Sequence, residues 1–384
     1  MQQNKFNLFA LGFRPFYLLA ASWGIFAIGE WLLEMQGQGL RPSGTIIGMQ
    51  WHAHEMIFGF ATTVVTGFSL TAVRAWTGLD TPKGLSLFLL TLLWVGGRIG
   101  AFLGTSLIVL DVIFLPVIAI TIGRLLLTRK MYRNLFLPII LTVLGILNGL
   151  FYLADFGYLN LDPNKILFSC LYMIIMIETI IGNRVIPSFT ANAIVGLKQY
   201  KNASLTRLTI IGGALTLLMQ NIESSGVIIV LASFSTALLY LLLLWGWRPL
   251  ATIGKPILWI LHLSYAWIPV GFILLGLSHL GLMTIYPALH VFGIGATSGL
   301  IMGMITRTAL GHTGRQLTTG FIENTSYLCI QVTLIFWLIA NIGNNPWFYD
   351  LLIVAGLFWA TAFSLYLFKY IPLLVKPRPD GKPG

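Results

Sequence analysis

The apolar run that decides the fold begins with Trp51-His52-Ala53-His54-Glu55-Met56-Ile57-Phe58-Gly59-Phe60 and continues to Trp76. It is long enough to cross a hydrocarbon core, which takes about 20 residues of helix. The run nevertheless opens with two imidazoles and a carboxylate. Ionisable groups at membrane depth are costly and therefore indicate a functional site by default. We expect this segment to carry a metal or haem site.

The rest of the chain has the same apolar character. The 384 residues are 57% hydrophobic and only 9% charged, whereas a soluble domain is roughly 25% charged. This composition predicts an all-α polytopic membrane protein, with residues 1–384 forming a single transmembrane domain. Apolar runs of sufficient length predict twelve helices, numbered here 1 to 12, near residues 15–36, 52–76, 84–103, 106–127, 134–155, 165–183, 206–222, 226–247, 256–277, 284–306, 321–342 and 347–369.

The basic residues predict the orientation of these helices. If the N-terminus is inside, all but Arg41, Arg98 and Lys165 of the 23 Lys and Arg residues fall on the inner side. Such an excess is typical of cytoplasmic loops and helix ends. We therefore expect both termini in the cytoplasm. The net charge of +11 then reflects topology and not nucleic-acid binding.

Arginines at helix ends hint at an internal repeat. They stand where helices 1, 5 and 9 enter the membrane and where helices 2, 6 and 10 leave it, at Arg14, Arg133, Arg248, Arg74, Arg184 and Arg307. Three pseudo-repeated units of four helices would explain both series. The alternative is that inner helix ends attract arginine without any repeat.

Helices 2 and 10 carry most of the candidate ligands. Of the six histidines, His52, His54, His279 and His290 are predicted toward the outer, periplasmic side of the membrane. Imidazoles on facing helices can supply both axial ligands of a haem iron. The leading pair is His52 with His290, and His54 is the alternative ligand or a second metal ligand.

His52 and His54 cannot share one face of a helix, because residues two apart are separated by about 200°. His52 shares its face with Glu55, which could orient the ring. His54 lies with Phe58 and Ala61 on an apolar strip that could flank a porphyrin. The alternative is that these histidines only cap the start of the helix.

Other polar residues are secondary candidates. His262 and His312, predicted toward the inner side, and His279 could ligate a metal, although the sequence favours a structural role for His262 and His312. Membrane carboxylates must pair or become protonated. A proton path or a structural ion network is therefore predicted for Glu55, Asp111, Glu178 and Arg184.

Four ordered blocks resemble the NnrS family over nearly the whole chain. They are Phe13-Arg14-Pro15-Phe16, Trp51 to Phe60, Asn183-Arg184-Val185-Ile186-Pro187-Ser188-Phe189-Thr190-Ala191-Asn192 and Thr306-Arg307-Thr308-Ala309-Leu310-Gly311-His312-Thr313-Gly314-Arg315. The resemblance implies a bacterial inner-membrane protein with haem b and copper, associated with denitrification and with protection against nitric oxide. Nitric oxide would be its small-molecule ligand, and an electron donor a possible partner.

Helix 2 is also similar to helix 2 of the haem–copper oxidase catalytic subunit, a protein of twelve helices in three groups of four. That resemblance implies that His52 ligates a low-spin haem with His290 as its partner. Two departures argue against oxidase chemistry. Helix 10 carries one histidine in Ala288-Leu289-His290 where the oxidase has two, and helices 6 and 7 carry none. Any copper would need other ligands.

The sequence therefore predicts a haem protein of nitric oxide metabolism or nitrosative-stress defence. Whether it is an oxidoreductase or a cofactor-bearing assembly partner stays open. The rival interpretation is a secondary transporter without haem, for which twelve helices, 40 glycines and a few buried carboxylates would be ordinary. Sequence motifs for nucleotide binding or a Ser-His-Asp triad do not occur.

Overall fold

A computed structural model describes residues 7–42, 46, 48–222 and 226–381. All regular elements within these residues are helices, and twelve of them are long and apolar enough to cross a membrane. The all-α class and the twelve spans are thus confirmed for a multi-pass membrane protein. Helices 1 to 12 are Phe13–Met35, Gly48–Thr77, Leu85–Leu103, Ile108–Thr128, Tyr132–Asp155, Pro163–Ala193, Ala203–Asn221, Val227–Gly246, Pro256–His279, Tyr286–His312, Phe321–Ala340 and Phe348–Val375.

Several helix boundaries differ clearly from the prediction. Helix 6 runs ten residues beyond 183, so the polar connection predicted at 184–206 shrinks to residues 194–202. Hydropathy drops at Arg184, but the helix continues past Pro187. Helix 12 likewise continues past Lys369 to Val375, and helix 2 starts at Gly48 instead of residue 52. In each case polar residues lie inside a helix that hydropathy alone cuts short.

The described chain groups into two compact units. The first unit contains the chain up to Cys170, together with Ile305–Leu317 and the residues from Phe363 onward. The second contains Leu171–Met304 and Thr318–Ala362. Helices 1 to 5 thus belong to the first unit, and helices 7 to 9 and 11 to the second. The single transmembrane domain expected from the sequence stays a prediction.

Helix 2 changes from an α-helix to a π-helix immediately after His54. The π segment covers Glu55–Ala61, and the amide of Thr62 at its end bonds the carbonyl of Ile57, five residues back. The hydroxyl of Thr62 accompanies this wide turn by donating to the carbonyl of Phe58 at 3.0 Å. Such segments are rare, and they occur frequently at functional sites.

Helix 10 has the same construction. Its α-helical start ends at His290, and a π segment follows over Val291–Ser298. Ser298 donates its hydroxyl to the carbonyl of Gly293, again five residues back, at 2.7 Å. The two helices that carry the leading histidines are therefore the two that contain π segments among the described residues.

The packing around the π segment of helix 2 requires a residue without a Cβ atom at Gly59, and this requirement can be tested. A Cβ atom at this position would clash with the indole of Trp23 and lie 2.7 Å from the carboxylate of Glu55. We expect Gly59→Ala to destabilise the protein by about 1–3 kcal/mol, the usual cost of overpacking. Thermal unfolding in detergent measures the effect.

Gly29→Ala is the matched control, because a Cβ atom at Gly29, also within a membrane helix, meets nothing within 4 Å. This variant should unfold at the wild-type temperature or slightly above it, since alanine favours helix. Equal unfolding temperatures for both variants would contradict the close packing of Trp23 on Gly59.

Candidate functional site

Arg98 of helix 3 lies at the centre of a buried ion network in the first unit. One terminal nitrogen, Nη1, donates to Glu55 Oε2 at 2.6 Å, and the other pairs with Asp111 Oδ1. The exposed fraction of all three side chains is 4% or less. A buried charge is tolerated only when it is paired, and Arg98 is paired twice.

His54 joins the two carboxylates. Its Nδ1 lies 2.8 Å from Glu55 Oε1, and its Nε2 lies 2.9 Å from the amide oxygen of Asn148. The Asn148 amide nitrogen donates to Asp111 at 2.9 Å, so the amide oxygen must accept from His54. A carboxylate also accepts. Both ring nitrogens of His54 are therefore engaged by partners inside the network.

The network leaves His54 no free ring nitrogen. Glu55 engages Nδ1 and Asn148 engages Nε2, so neither nitrogen can ligate a metal in this arrangement. The geometry favours a structural role for His54 in the ion network over the ligand role that the sequence left open.

Glu55 contacts several elements of the network. Besides His54 and Arg98, it accepts a hydrogen bond from the Trp23 indole, at 2.6 Å. Its carboxylate thus binds side chains of helices 1 and 3 as well as its neighbour in helix 2. The orienting role of Glu55 toward His52 stays a prediction.

The sequence did not single out the residues that complete the network. Tyr152 donates its hydroxyl to Asp111 at 3.0 Å, and Phe151 stacks on the His54 ring with centroids 4.9 Å apart. One signal for Arg98 was available. It is one of the few basic residues that the predicted topology puts on the outer side, inside an apolar run where a charge needs a partner.

His52 lies in different surroundings from His54, as their spacing predicts. Its ring is half-buried and meets the Trp31 ring of helix 1 edge to face, with centroids 5.2 Å apart. It is the fifth residue of helix 2 as described. His54 is completely buried.

His290, in the second unit, has the geometry of a metal ligand. Its Nδ1 lies 3.0 Å from the carbonyl oxygen of Tyr286, one turn back. A carbonyl can only accept, so Nδ1 carries the proton and Nε2 carries the lone pair of the neutral ring. The ring stacks on Trp337 with centroids 3.7 Å apart and an interplanar angle of 13°. His290 is also the fifth residue of its helix, about 6 Å from the start and shallower than expected.

Helices 2 and 10 share a sequence pattern that the sequence analysis missed. The spacing His-x4-Gly-x2-Thr/Ser-x4-Gly occurs in both, as His54, Gly59, Thr62 and Gly67 and as His290, Gly295, Ser298 and Gly303. The histidine ends the α-helical start in each case, and the π segment follows it. The pattern was visible in the sequence.

The packing of the pattern is also shared. Trp23 of helix 1 leaves no room for a side chain at Gly59, and Trp267 of helix 9 leaves none at Gly295. Helix 6 is α-helical throughout its described length. The similarity therefore relates helices 1 and 2 to helices 9 and 10, the first and third units of the predicted repeat.

The remaining histidines lie apart from this pattern. In the second unit, His262 is buried with Nε2 at 2.8 Å from the hydroxyl of Thr190, and His279 is exposed with Nε2 at 2.8 Å from the side-chain oxygen of Gln220. In the first unit, the His312 ring lies near that of Phe13. Over the residues described, no group of three or more His, Cys, Asp or Glu side chains could hold a metal ion. Copper stays a prediction.

Glu178 and Arg184 both lie inside helix 6. The Oε2 atom of Glu178 is enclosed without a hydrogen-bond partner in the part of the chain that the structure describes. Next to it, Thr179 shares a hydrogen bond of 2.7 Å with the hydroxyl of Tyr240. A proton-path role for Glu178 stays a prediction.

The ion network predicts a large effect at Arg98. Arg98→Met would leave Glu55 and Asp111 buried with only His54 to compensate them. Removing one partner of a buried pair costs about 3–5 kcal/mol, so we expect a strong loss of folded protein, measured by size-exclusion chromatography and thermal unfolding in detergent.

Lys83→Met is the matched control, because Lys83 pairs with Asp80 at 2.7 Å on the surface, where both side chains are more than half exposed. Such pairs contribute about 0–1 kcal/mol. If Arg98→Met were as stable as Lys83→Met, Arg98 would not hold the network together.

Comparison with known proteins agrees with the resemblance seen in the sequence. The family model described as NnrS protein matches residues 7–378, nearly the whole chain. A search of the curated proteins finds no match. The family match supports a membrane protein of the nitric oxide response. The chain belongs to the NnrS family.

Proposed function

We propose that this membrane protein binds haem b and acts in nitric oxide metabolism or nitrosative-stress defence, with His290 as an axial ligand of the iron. The observation that carries the proposal is the orientation of the His290 ring. Its Nδ1 donates to the carbonyl of Tyr286 at 3.0 Å, which leaves the Nε2 lone pair for a metal. Metal-ligating histidines typically use their second nitrogen in this way.

Two further features of His290 support the role. Stacking on Trp337 restricts rotation of the ring, so the direction of the Nε2 lone pair is defined before any metal binds. The π segment that starts at Val291 is the kind of helix defect found at functional sites. Because the His290 ring is held in place before a metal binds, its side chain loses less entropy on binding.

The second axial ligand is proposed on the sequence. His52 is the candidate because both ring nitrogens of His54 are engaged by Glu55 and Asn148 in the ion network. Bound haem would supply an iron centre that nitric oxide can bind. Two axial histidines would favour electron transfer, and an open position would favour direct binding of nitric oxide.

The test is the haem content of purified variants after haem-replete expression. We expect His290→Ala to lose most of the Soret absorbance per protein, because alanine removes the Nε2 atom that would bind the iron. His279→Ala is the matched control in the same unit, since His279 is exposed and bonds the Gln220 side chain. Full haem content with an unchanged spectrum in His290→Ala would overturn the assignment of this ligand.

The same preparation separates this function from its rivals. A secondary transporter would show no Soret band in the wild type. A haem-bearing assembly partner would show the band, but it would not consume nitric oxide when given an electron donor, as followed with a nitric oxide electrode. Haem-dependent consumption, lost in His290→Ala and kept in His279→Ala, would establish an oxidoreductase.

A further inference from the structure

Arg14, at the start of helix 1, is buried without a counter-charge. Its exposed fraction is 0%, and no carboxylate lies within ion-pair distance of it in the described chain. Only one of its nitrogens is used. Nη1 donates to the carbonyl oxygens of Leu374 at 2.6 Å and Lys376 at 2.9 Å, where helix 12 ends.

The other edge of the Arg14 guanidinium has no acceptor among the described residues. Within that part of the chain, Nε and Nη2 are both enclosed and without a hydrogen-bond partner. These two nitrogens form one edge of the fork, from which two parallel N–H bonds can reach two oxygens of the same anion. A buried donor without an acceptor is costly, and a guanidinium edge is shaped for a carboxylate or a phosphate.

Further positive charge lies near Arg14 within the first unit. Arg315 and Arg378 are both close enough to influence Arg14 electrostatically, and Arg378 comes two residues after Lys376, whose carbonyl Arg14 binds. Arg378 also donates to the carbonyl of His312 at 3.1 Å, which joins the ends of helices 10 and 12. Asp380 binds Arg378 through both oxygens. The carboxylate of Asp380 is thus the counter-charge of Arg378, the last of the three arginines in the chain.

The burial of the three arginine side chains decreases from the protein interior toward the surface. Arg14 is fully buried, whereas Arg315 and Arg378 are partly exposed. A ligand that enters from solvent or from the lipid headgroups would meet the outer arginines first and the unpartnered edge of Arg14 last. The predicted topology puts this end on the cytoplasmic side, where basic pockets between helices bind anionic headgroups.

We propose that Arg14, Arg315 and Arg378 form a binding site for a phosphate-class oxyanion, either free phosphate or the phosphate of an anionic lipid. Arg14 binds two of its oxygens through Nε and Nη2, and the outer arginines supply the attracting charge. The site is separate from the haem ligands proposed above. It also gives a role to two arginines of the NnrS-like blocks, Arg14 and Arg315, that haem binding does not use.

The experiment has two arms on the full-length protein in detergent. Inorganic phosphate is titrated by isothermal calorimetry, and native mass spectrometry counts the molecules of phosphatidylglycerol and phosphatidylcholine that stay bound. Binding of inorganic phosphate would identify a free-phosphate site. Retention of phosphatidylglycerol over phosphatidylcholine, without phosphate binding, would identify a lipid site. Both outcomes support the proposal.

Arg315→Gln is the main variant, because Arg315 is partly exposed and its substitution should not prevent folding. We expect about tenfold weaker binding, the effect of losing one charged contact. Arg133→Gln, with its exposed side chain, removes the same charge elsewhere in the first unit and should bind as the wild type does. Arg14→Gln should abolish binding where it folds.

Two results would overturn the proposal. The wild type would bind neither inorganic phosphate nor phosphatidylglycerol, or Arg315→Gln and Arg133→Gln would weaken binding equally. The second result would mean that only the overall positive charge attracts the anion.

Discussion

The first unit depends on stabilising the charged guanidinium group of Arg98 between apolar helices. Burial of an ion costs several kcal/mol unless its charge is compensated and its hydrogen bonds are made. Arg98 meets both conditions only because Glu55 and Asp111 approach it from helices 2 and 4. His54 then links Glu55 to Asn148, whose amide donates to Asp111. The positions of four helices relative to one another follow from this set, because Asn148 brings in helix 5.

Composition and hydropathy were sufficient for the class and the number of spans, because apolar length is a property of the sequence itself. They were insufficient at helix ends. Arg184 and Pro187 lie inside helix 6, although the hydropathy profile predicts a loop there. The four-helix ion network could be predicted only in part. Spacing correctly separated His52 from His54, but the partners of Glu55 come from other helices, and no local pattern contains them.

The π segments limit what a helical projection can predict about the site. A projection with 100° per residue assumes a regular α-helix, and helix 2 widens from Glu55 onward. The same segments disclose a similarity between helices 2 and 10, which lie far apart in the sequence. His54 and His290 occupy equivalent positions after which the helix widens, yet both ring nitrogens of His54 are engaged in the ion network, whereas Nε2 of His290 is left for a ligand role. An equivalent position thus serves the ion network in one unit and a candidate ligand in the other.

The wide turns also have a consequence for how these helices tolerate change in length. A π turn contains roughly one residue more than an α turn, so it is equivalent to an insertion that the helix absorbs without breaking. Loss of a single residue from Glu55–Ala61 would restore a regular helix and rotate His54 by about 100° relative to Thr62 and the residues beyond it. Each π segment therefore sets the rotation of the start of its helix, about the helix axis, relative to the rest of that helix. Sequence alignments that place gaps freely in these stretches would conceal the π turns, which set the directions of both histidines.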